Sequence, residues 1–347
     1  MKRKSPLYVF LILLPWVAWG LYSLWKSRSP GPAPREVVVY CALDRLYAQP
    51  LLDGFTRRTG IVVRAKWDSE ATKTTGLVQA LLAERAAPRC DVFWNNEVSQ
   101  TIQLARAGAL QAYDSPQARG LPAWARDPGH LWTGFAARAR VLLVNRTRVP
   151  EGSRPRSVQD LLDPRWKGQV GIAKPLFGTT ATQVAAWFSR DGEAKAKAFF
   201  DALKANGVVV CAGNADVKDR VAAGELAFGW TDSDDANVAL EAASPVQVVF
   251  PDQGQGERGT LLIPNAASIV AGAPHAAEAR ELVDFLLSPE VEELLSRSRS
   301  AQIPLRKEVA RPAWIPQDLV AEPIDWPKAA DAFPRARDYV EQSFLKE

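Results

Sequence analysis

The sequence predicts an α/β protein made of two α/β units in succession. Three observations carry this. Short β-branched runs alternate with segments of helical period, polar residues collect just after the runs, and one long extended segment interrupts the alternation midway. Residues 37–41 (VVVYC) read as a buried strand. Residues 47–59 follow, with Leu51, Leu52 and Phe55 at helical spacing and Gly60 as the stop. Residues 61–67 (IVVRAKW) return to strand chemistry, 77–85 to a helix, 90–94 (CDVFW) to a strand, and 102–107 to a helix ending at Gly108. This alternation indicates a parallel sheet with helices on both faces.

Residues 134–145 (GFAARARVLLVN) read as one extended segment, after which the alternation resumes. Strands are expected at 170–173 (VGIA), 208–211 and 226–230 (LAFGW), with helices at 180–189, 193–206 and 215–223 between and beside them. A strand at 246–250, a Gly-rich polar stretch and the apolar run 261–272 come next, then helices at 276–287 and 289–298.

With 347 residues and 47% hydrophobic content, the chain can bury a core in each of two lobes, which excludes a disordered or fibrous class. The formal charge of +4 is misleading. Six of the 43 basic side chains fall in residues 1–35 with no acid, leaving 37 against 39 over the remainder. A nucleic-acid binder needs a concentrated basic surface to displace counterions, so that class is excluded too. Three cysteines, Cys41, Cys90 and Cys211, have no CxxC spacing and no nearby His, and are expected as buried free thiols.

The N-terminus reads MKRK, then an uncharged run over residues 5–25, then KSRSPGPAPRE. The run has the length of a membrane-crossing helix and lacks a small-residue cleavage step. Residues 1–26 are therefore expected to be an uncleaved membrane anchor, with a cleaved signal as the alternative, and residues 27–35 a linker. The rest would then lie in the periplasm or at the cell exterior, tethered to the inner membrane.

In open parallel sheets, ligands bind outside the carboxyl ends of strands, where loops converge and helix N-termini point at the ligand. Asp44 follows the first strand, Asp68 and Glu70 the second, and Asn96 and Glu97 the third. In the second unit Gly178, Thr179 and Thr180 sit between a strand and a helix, where backbone N–H groups and hydroxyls would cradle an anion; a plain N-cap is the alternative. Asn214, Asp232 and Asp234 occupy equivalent places. Arg138 and Arg140 share a face of the extended segment, with Arg138 expected to meet an anion in the cleft or to form a surface ion pair. Tyr40 ends a strand, either to stack on a ligand or as core. The stretch GWTDSDDA (229–236) reads in two ways. Asp232 and Asp234 bind a hard cation or meet an organic one, or they belong to a capped helix start, with Asp235 as the bystander.

Read in order, VVVYCALD, TGIVVR, CDVFWNNE, AARARVLLVN, LLDPRWKGQVGIAKP, GTTAT, GELAFGWTD and AAEARELVDFLLSPEVEELL resemble the extracytoplasmic solute-binding proteins of ABC importers, of the ferric-iron-binding type, over roughly residues 36–305. The resemblance implies the type II periplasmic binding protein fold: two α/β lobes joined by crossover strands, closing by hinge motion on a ligand between them. It places the first lobe at 36–135 plus 260–305, the second at 136–259, and a helical tail at 306–347. It implies a monomer that delivers a small molecule or ion to a permease, catalyses no reaction and has no resident cofactor; Fe(3+) or another metal ion would be the cargo, with or without an anion. The chain departs from the iron-binding pattern in its ligands. Where that family has adjacent tyrosines there are Thr231, Asp232, Ser233 and Asp234, and the first-lobe His and Glu positions look like Asp44 and Asn96 or Glu97. A phosphorylated compound, an organic cation, or a membrane-tethered sensor using the same clamp are the alternatives.

Overall fold

The computed structural model describes residues 34–68 and 74–346. The expected anchor and most of the linker lie outside the described residues, as does Glu70. Among the described residues no helix is long and apolar enough to cross a membrane.

The chain opens with β1 (Glu36–Cys41), α1 (Arg45–Thr59), β2 (Val62–Trp67), α2 (Thr75–Ala83), β3 (Val92–Asn95), α3 (Ser99–Arg106) and β4 (Leu110–Gln111). Gly60 ends α1 in the left-handed conformation, φ 73°, as a helix-stop glycine should. The extended segment is β5 (Thr133–Asn145), 13 residues and buried along its whole length. Then come β6 (Val170–Ala173), α4 (Gly178–Arg190), α5 (Glu193–Ala205), β7 (Val209–Cys211), α6 (Asn214–Ala222), β8 (Phe228–Asp232), α7 (Ser233–Glu241) and β9 (Val246–Val249). The chain continues through β10 (Leu262–Val270), α8 (Ala276–Leu286) and α9 (Pro289–Arg297), and ends in α10 (Trp326–Tyr339), which runs on into a single π turn at Val340–Phe344.

The strands form one path, β2-β1-β3-β10-β5-β8-β6-β7, with β4 on β10 and β9 on β5. The pairs β1–β2, β1–β3, β6–β7 and β6–β8 are parallel, whereas β5 and β10 run antiparallel to their neighbours. Strand β5 serves both halves of the sheet. Its residues Thr133–Ala139 pair with β10, and Arg140–Val144 with β8. The β10 run returns to the first half after the second unit, as a discontinuous first unit requires. The cores follow this division. One cluster joins Val37, Val39, Leu52, Trp94 and Phe135 to α8 and α9, and another joins Val170, Trp187, Phe200 and Trp230 to α10. A third small core takes Val98 and Ile102 from α3 and its approach, Ala186 from α4, Ile263 from β10, and Trp326, Ala329 and Ala330 from α10, so it packs the seam itself. The three cysteines are free and buried.

Strand β8 continues to Asp232, two residues beyond the predicted end of its apolar run. Asp232 is therefore paired in register with Arg140 of β5 instead of lying in a solvated turn. On the same strand Gly229 permits close packing: a Cβ there would meet Val217 Cγ1 of α6 at 2.4 Å and the Gly171 carbonyl oxygen at 3.1 Å. Gly229→Ala should push α6 off the sheet and cost about 1–3 kcal/mol by urea denaturation, the magnitude of an overpacked core. A loss below about 0.5 kcal/mol would show that the helix is not seated as described.

Candidate functional site

Four helix N-termini meet between the two halves of the sheet. The start of α1 brings Asp44; α4 brings Phe177, Gly178, Thr179 and Thr180; α6 brings Gly213, Asn214 and Ala215; and α7 brings Asp232, Asp234 and Asp235. With Asn96, Arg138 and Lys174 they line a cavity of about 70 Å³. The cavity is small, so in this conformation its size suits an ion or a compact solute. A larger groove of about 790 Å³ runs between α1 and α9, lined by Leu46, Leu51, Phe285 and Leu294. There Arg58 and Glu290 pair with each other, so size alone does not locate the site.

The floor of the cavity is a buried ion cluster. Arg140 Nη1 donates to Asp232 Oδ1 at 2.6 Å and to Asn214 Oδ1 at 3.0 Å, while its Nε donates to Gln183 Oε1 at 2.6 Å. The other oxygen of Asp232 accepts from the Thr179 hydroxyl at 2.5 Å and from Asn214 Nδ2 at 3.0 Å. Arg138 Nη1 lies 3.6 Å from Asp232 and 3.4 Å from Asp234, and its Nη2 donates to the Asn96 carbonyl. Burial opposes ionisation of Asp232, but Arg140 and Arg138 outweigh it and hold the carboxyl below its usual range. Burial likewise opposes the charge on Arg138, and Asp234, Asp232, Asp44 and Asp235 together keep it on. Arg138, expected either to meet an anion in the cleft or to form a surface ion pair, is 4% exposed, and Arg140 is 1% exposed. A surface ion pair is thus excluded.

This arrangement divides the cavity. The ends of α1 and α7 carry Asp44, Asp234 and Asp235, negative groups at positive helix ends. The ends of α4 and α6 project no carboxylate into the cavity, because Asp216 in the first turn of α6 accepts from the Ala212 N–H. Gly178 has φ 54°, and a Cβ on it or on Gly213 would meet nothing within 4 Å, so both backbones face open space. The Thr180 hydroxyl, 3% exposed, and the Arg138 Nε have no partner among the described residues. These are unspent donors at helix N-termini, in a cavity that Lys174 also lines.

Of the thirteen residues expected at the site, nine line the cavity: Asp44, Asn96, Arg138, Gly178, Thr179, Thr180, Asn214, Asp232 and Asp234. Tyr40 does not. It is buried, and its hydroxyl donates to Glu84 at 2.7 Å. Asp68 accepts from the Thr74 N–H and buttresses the chain before α2. Glu97 is fully buried, its carboxylate taken by the Ser99 and Gln100 N–H groups, Asn95 and Thr182. Asp235, expected as a bystander, lines the cavity, as does Lys174, whose only signal in the sequence is its place after the VGIA strand. Asp232, Asp234 and Asp235 place oxygens within 4.8 Å of one another, as a metal site would. Asp232 is nevertheless committed to Arg140, Thr179 and Asn214, and Arg138, 3.4 Å from Asp234, opposes a trivalent ion about three times as strongly as a singly charged group. Among the described residues no tyrosine lines the cavity; half-buried Tyr47 has its hydroxyl pushed up to about 12 by burial and by Asp234, Asp44 and Asp235.

A family model described as "Bacterial extracellular solute-binding protein" matches residues 96–331. The chain is 28% identical over 292 residues to a Salmonella typhimurium protein named for periplasmic binding of 2-aminoethylphosphonate, covering 82% of each. It is 26% identical over 290 residues to the "Major ferric iron-binding protein" of Neisseria meningitidis, covering 80% of this chain and 83% of that one. Among solved structures, apo ferric ion-binding protein A of Pasteurella haemolytica aligns with a TM-score of 0.79 at 24% identity, over 90% of this chain and 99% of that one. At that identity the likeness speaks to the fold alone, the α/β fold of periplasmic binding proteins with its curled sheet.

Removing Asp232 strands two buried guanidinium groups. Asp232→Ala should cost about 3–5 kcal/mol in urea denaturation of the solute-free protein, the range for breaking a buried ion pair, whereas Asp235→Asn should cost under about 1 kcal/mol. Because the folded carboxyl of Asp232 titrates below its unfolded value, near 3.9, its contribution is present above that pH and fades as the pH falls through the folded value. Equal small losses for both variants would mean that the cluster does not hold the sheet halves together.

Proposed function

The chain belongs to the bacterial extracellular solute-binding proteins, and from that premise we propose that it captures a compact zwitterion, a phosphonate or phosphate bearing an amine, and delivers it to an ABC importer. The observation that supports this reading is the division of one cavity. The carboxylate-free ends of α4 and α6, with Thr180, Lys174 and Arg138, face an oxyanion, while Asp44, Asp234 and Asp235 face an ammonium group. Amine and oxyanion on one small molecule satisfy both ends at once. The Salmonella relative named for 2-aminoethylphosphonate is consistent with such a solute.

The mechanism is a clamp. In this reading the lobes are residues 36–135 plus 260–305 and residues 136–259, with 306–347 as the tail. Asp44 and Asn96 belong to one lobe and Thr180, Asn214 and Asp235 to the other, so only the closed state contacts the solute from both sides and the solute shifts the population toward it. The protein acts as a monomer outside the cytoplasm and performs no chemistry; the Thr179–Asp232 pair at the cavity has its carboxylate committed to Arg140 and Asn214. Residues 1–26 tether it to the inner membrane.

Ferric iron, for which other relatives are named, is the second reading, favoured by the three clustered carboxylates. Its weakness is Arg138, 3.4 Å from Asp234. Thermal melts of the full chain in detergent separate the two. 2-Aminoethylphosphonate should raise the melting temperature, with a stabilisation of about 2.7 kcal/mol at 100 times Kd. Ethylphosphonate and ethanolamine, each carrying one of its two charges, should do much less, and ferric citrate nothing. Asp235→Asn should weaken 2-aminoethylphosphonate more than ethylphosphonate. A shift produced by ferric citrate alone would overturn the zwitterion reading.

A further inference from the structure

Glu97 is a carboxylate with no solvent exposure, one residue from the cavity wall, yet it does not line the cavity. Four groups donate to it. The N–H groups of Ser99 (2.7 Å) and Gln100 (3.1 Å) belong to the first turn of α3, and Asn95 Nδ2 (2.9 Å) to the end of β3, all in the first half of the sheet. The fourth donor is the Thr182 hydroxyl at 2.6 Å, and Thr182 stands on α4, in the second half. Thr182 is two residues after Thr180 and three after Thr179, on the same first turns that form the anion-binding end. Burial raises the titration of Glu97, and the donors around it counter that. The charge is therefore solvated by a preformed ring of donors, one of which comes from across the seam.

No other Glu97 contact spans the two halves. Asn96, its chain neighbour, accepts from Arg138 through its carbonyl and from the Thr74 hydroxyl through its side chain. Below the Glu97–Thr182 bond, α10 packs along α4 and reaches α3, where Gln103 and Arg106 donate to the carbonyls of Ala330 and Pro327. The seam at the back thus combines apolar helix packing with the Gln103 and Arg106 bonds, and just under the cavity it is crossed by the Glu97–Thr182 bond and by the Arg138 bond to the Asn96 carbonyl.

We infer that Glu97 is a positioning residue: through Thr182 it sets the start of α4 against Asn96 and Arg138, and so fixes the spacing between the anion-binding end and the first half without touching the solute. The inference rests on the reading that the ends of α4 and α6 hold the solute's oxyanion. A hydroxyl bonded to a buried charge is worth enough to register α4 against the start of α3, which also meet through the small apolar core of Val98, Ile102 and Ala186.

The test uses the full chain in detergent with Thr182→Val, which removes the hydroxyl at constant size, and Thr182→Ser, which restores it. Two measurements are made: the calorimetric Kd for 2-aminoethylphosphonate, and the distance distribution between spin labels at Asp53→Cys on α1 and Lys195→Cys on α5, taken without solute. The native cysteines are buried and stay unlabelled. Thr182→Val should bind about tenfold or more weakly and broaden the solute-free distribution, and Thr182→Ser should restore both. Glu97→Gln should give the broadened distribution as well, together with a lower melting temperature from the lost α3 cap. Unchanged affinity and an unchanged distribution in Thr182→Val would overturn the inference. If the wild type binds no 2-aminoethylphosphonate, the zwitterion reading fails, while the distance arm still decides the role of Glu97.

Discussion

A salt bridge buried between β5 and β8 organises this protein. Arg140 and Asp232 face each other in strand register, at 1% exposure each, and every other feature of the site is arranged around satisfying them. Two charges taken out of water cost several kcal/mol apiece unless their remaining lone pairs and protons are also bonded. Thr179 from α4, Asn214 from α6 and Gln183 from α4 supply most of those bonds, with Arg140 Nη2 left without a partner among the described residues, and in doing so they bring two helix N-termini to one point. Arg138, two residues along the same strand, then joins this cluster to Asp234 and to the first half through Asn96. The cavity is what is left between these committed groups.

This constraint explains why the site reads as a divided one. Asp232 already occupies Thr179, so the donors that remain for a guest are the Thr180 hydroxyl, the Arg138 Nε, Lys174 and the backbone at Gly178 and Gly213. Asp44, Asp234 and Asp235 line the other side of the same cavity. A site built only for a trivalent cation would not place a guanidinium within 3.4 Å of one of its carboxylates, and a site built only for an anion would not carry three acids on its opposite wall.

Much of the fold is legible in the sequence because its period is. The VVVYC, CDVFW and VGIA runs become β1, β3 and β6 within a residue or two, and Gly60 stops α1 where its conformation allows. The end of β8 was not legible, since Thr231 and Asp232 read as a polar turn. Only the partner strand shows that Asp232 is buried, because Arg140 sits 92 residues earlier in the chain. The same long-range pairing removed Arg138 and Arg140 from the surface. Glu97 and Tyr40 were placed at the site by their position at strand ends, which marks the right neighbourhood but not the direction of a side chain. Lys174 and Asp235 line the cavity for geometric reasons that composition and spacing do not encode.

The account's central claim is that one guest bridges two oppositely charged walls. A crystal structure of the chain grown with 2-aminoethylphosphonate tests it most directly. The claim predicts phosphonate oxygens within hydrogen-bonding distance of the N–H groups at the starts of α4 and α6, and the ammonium nitrogen among Asp44, Asp234 and Asp235. Density for a metal ion shared by Asp234 and Asp235, with the solute absent from the cavity, would contradict it.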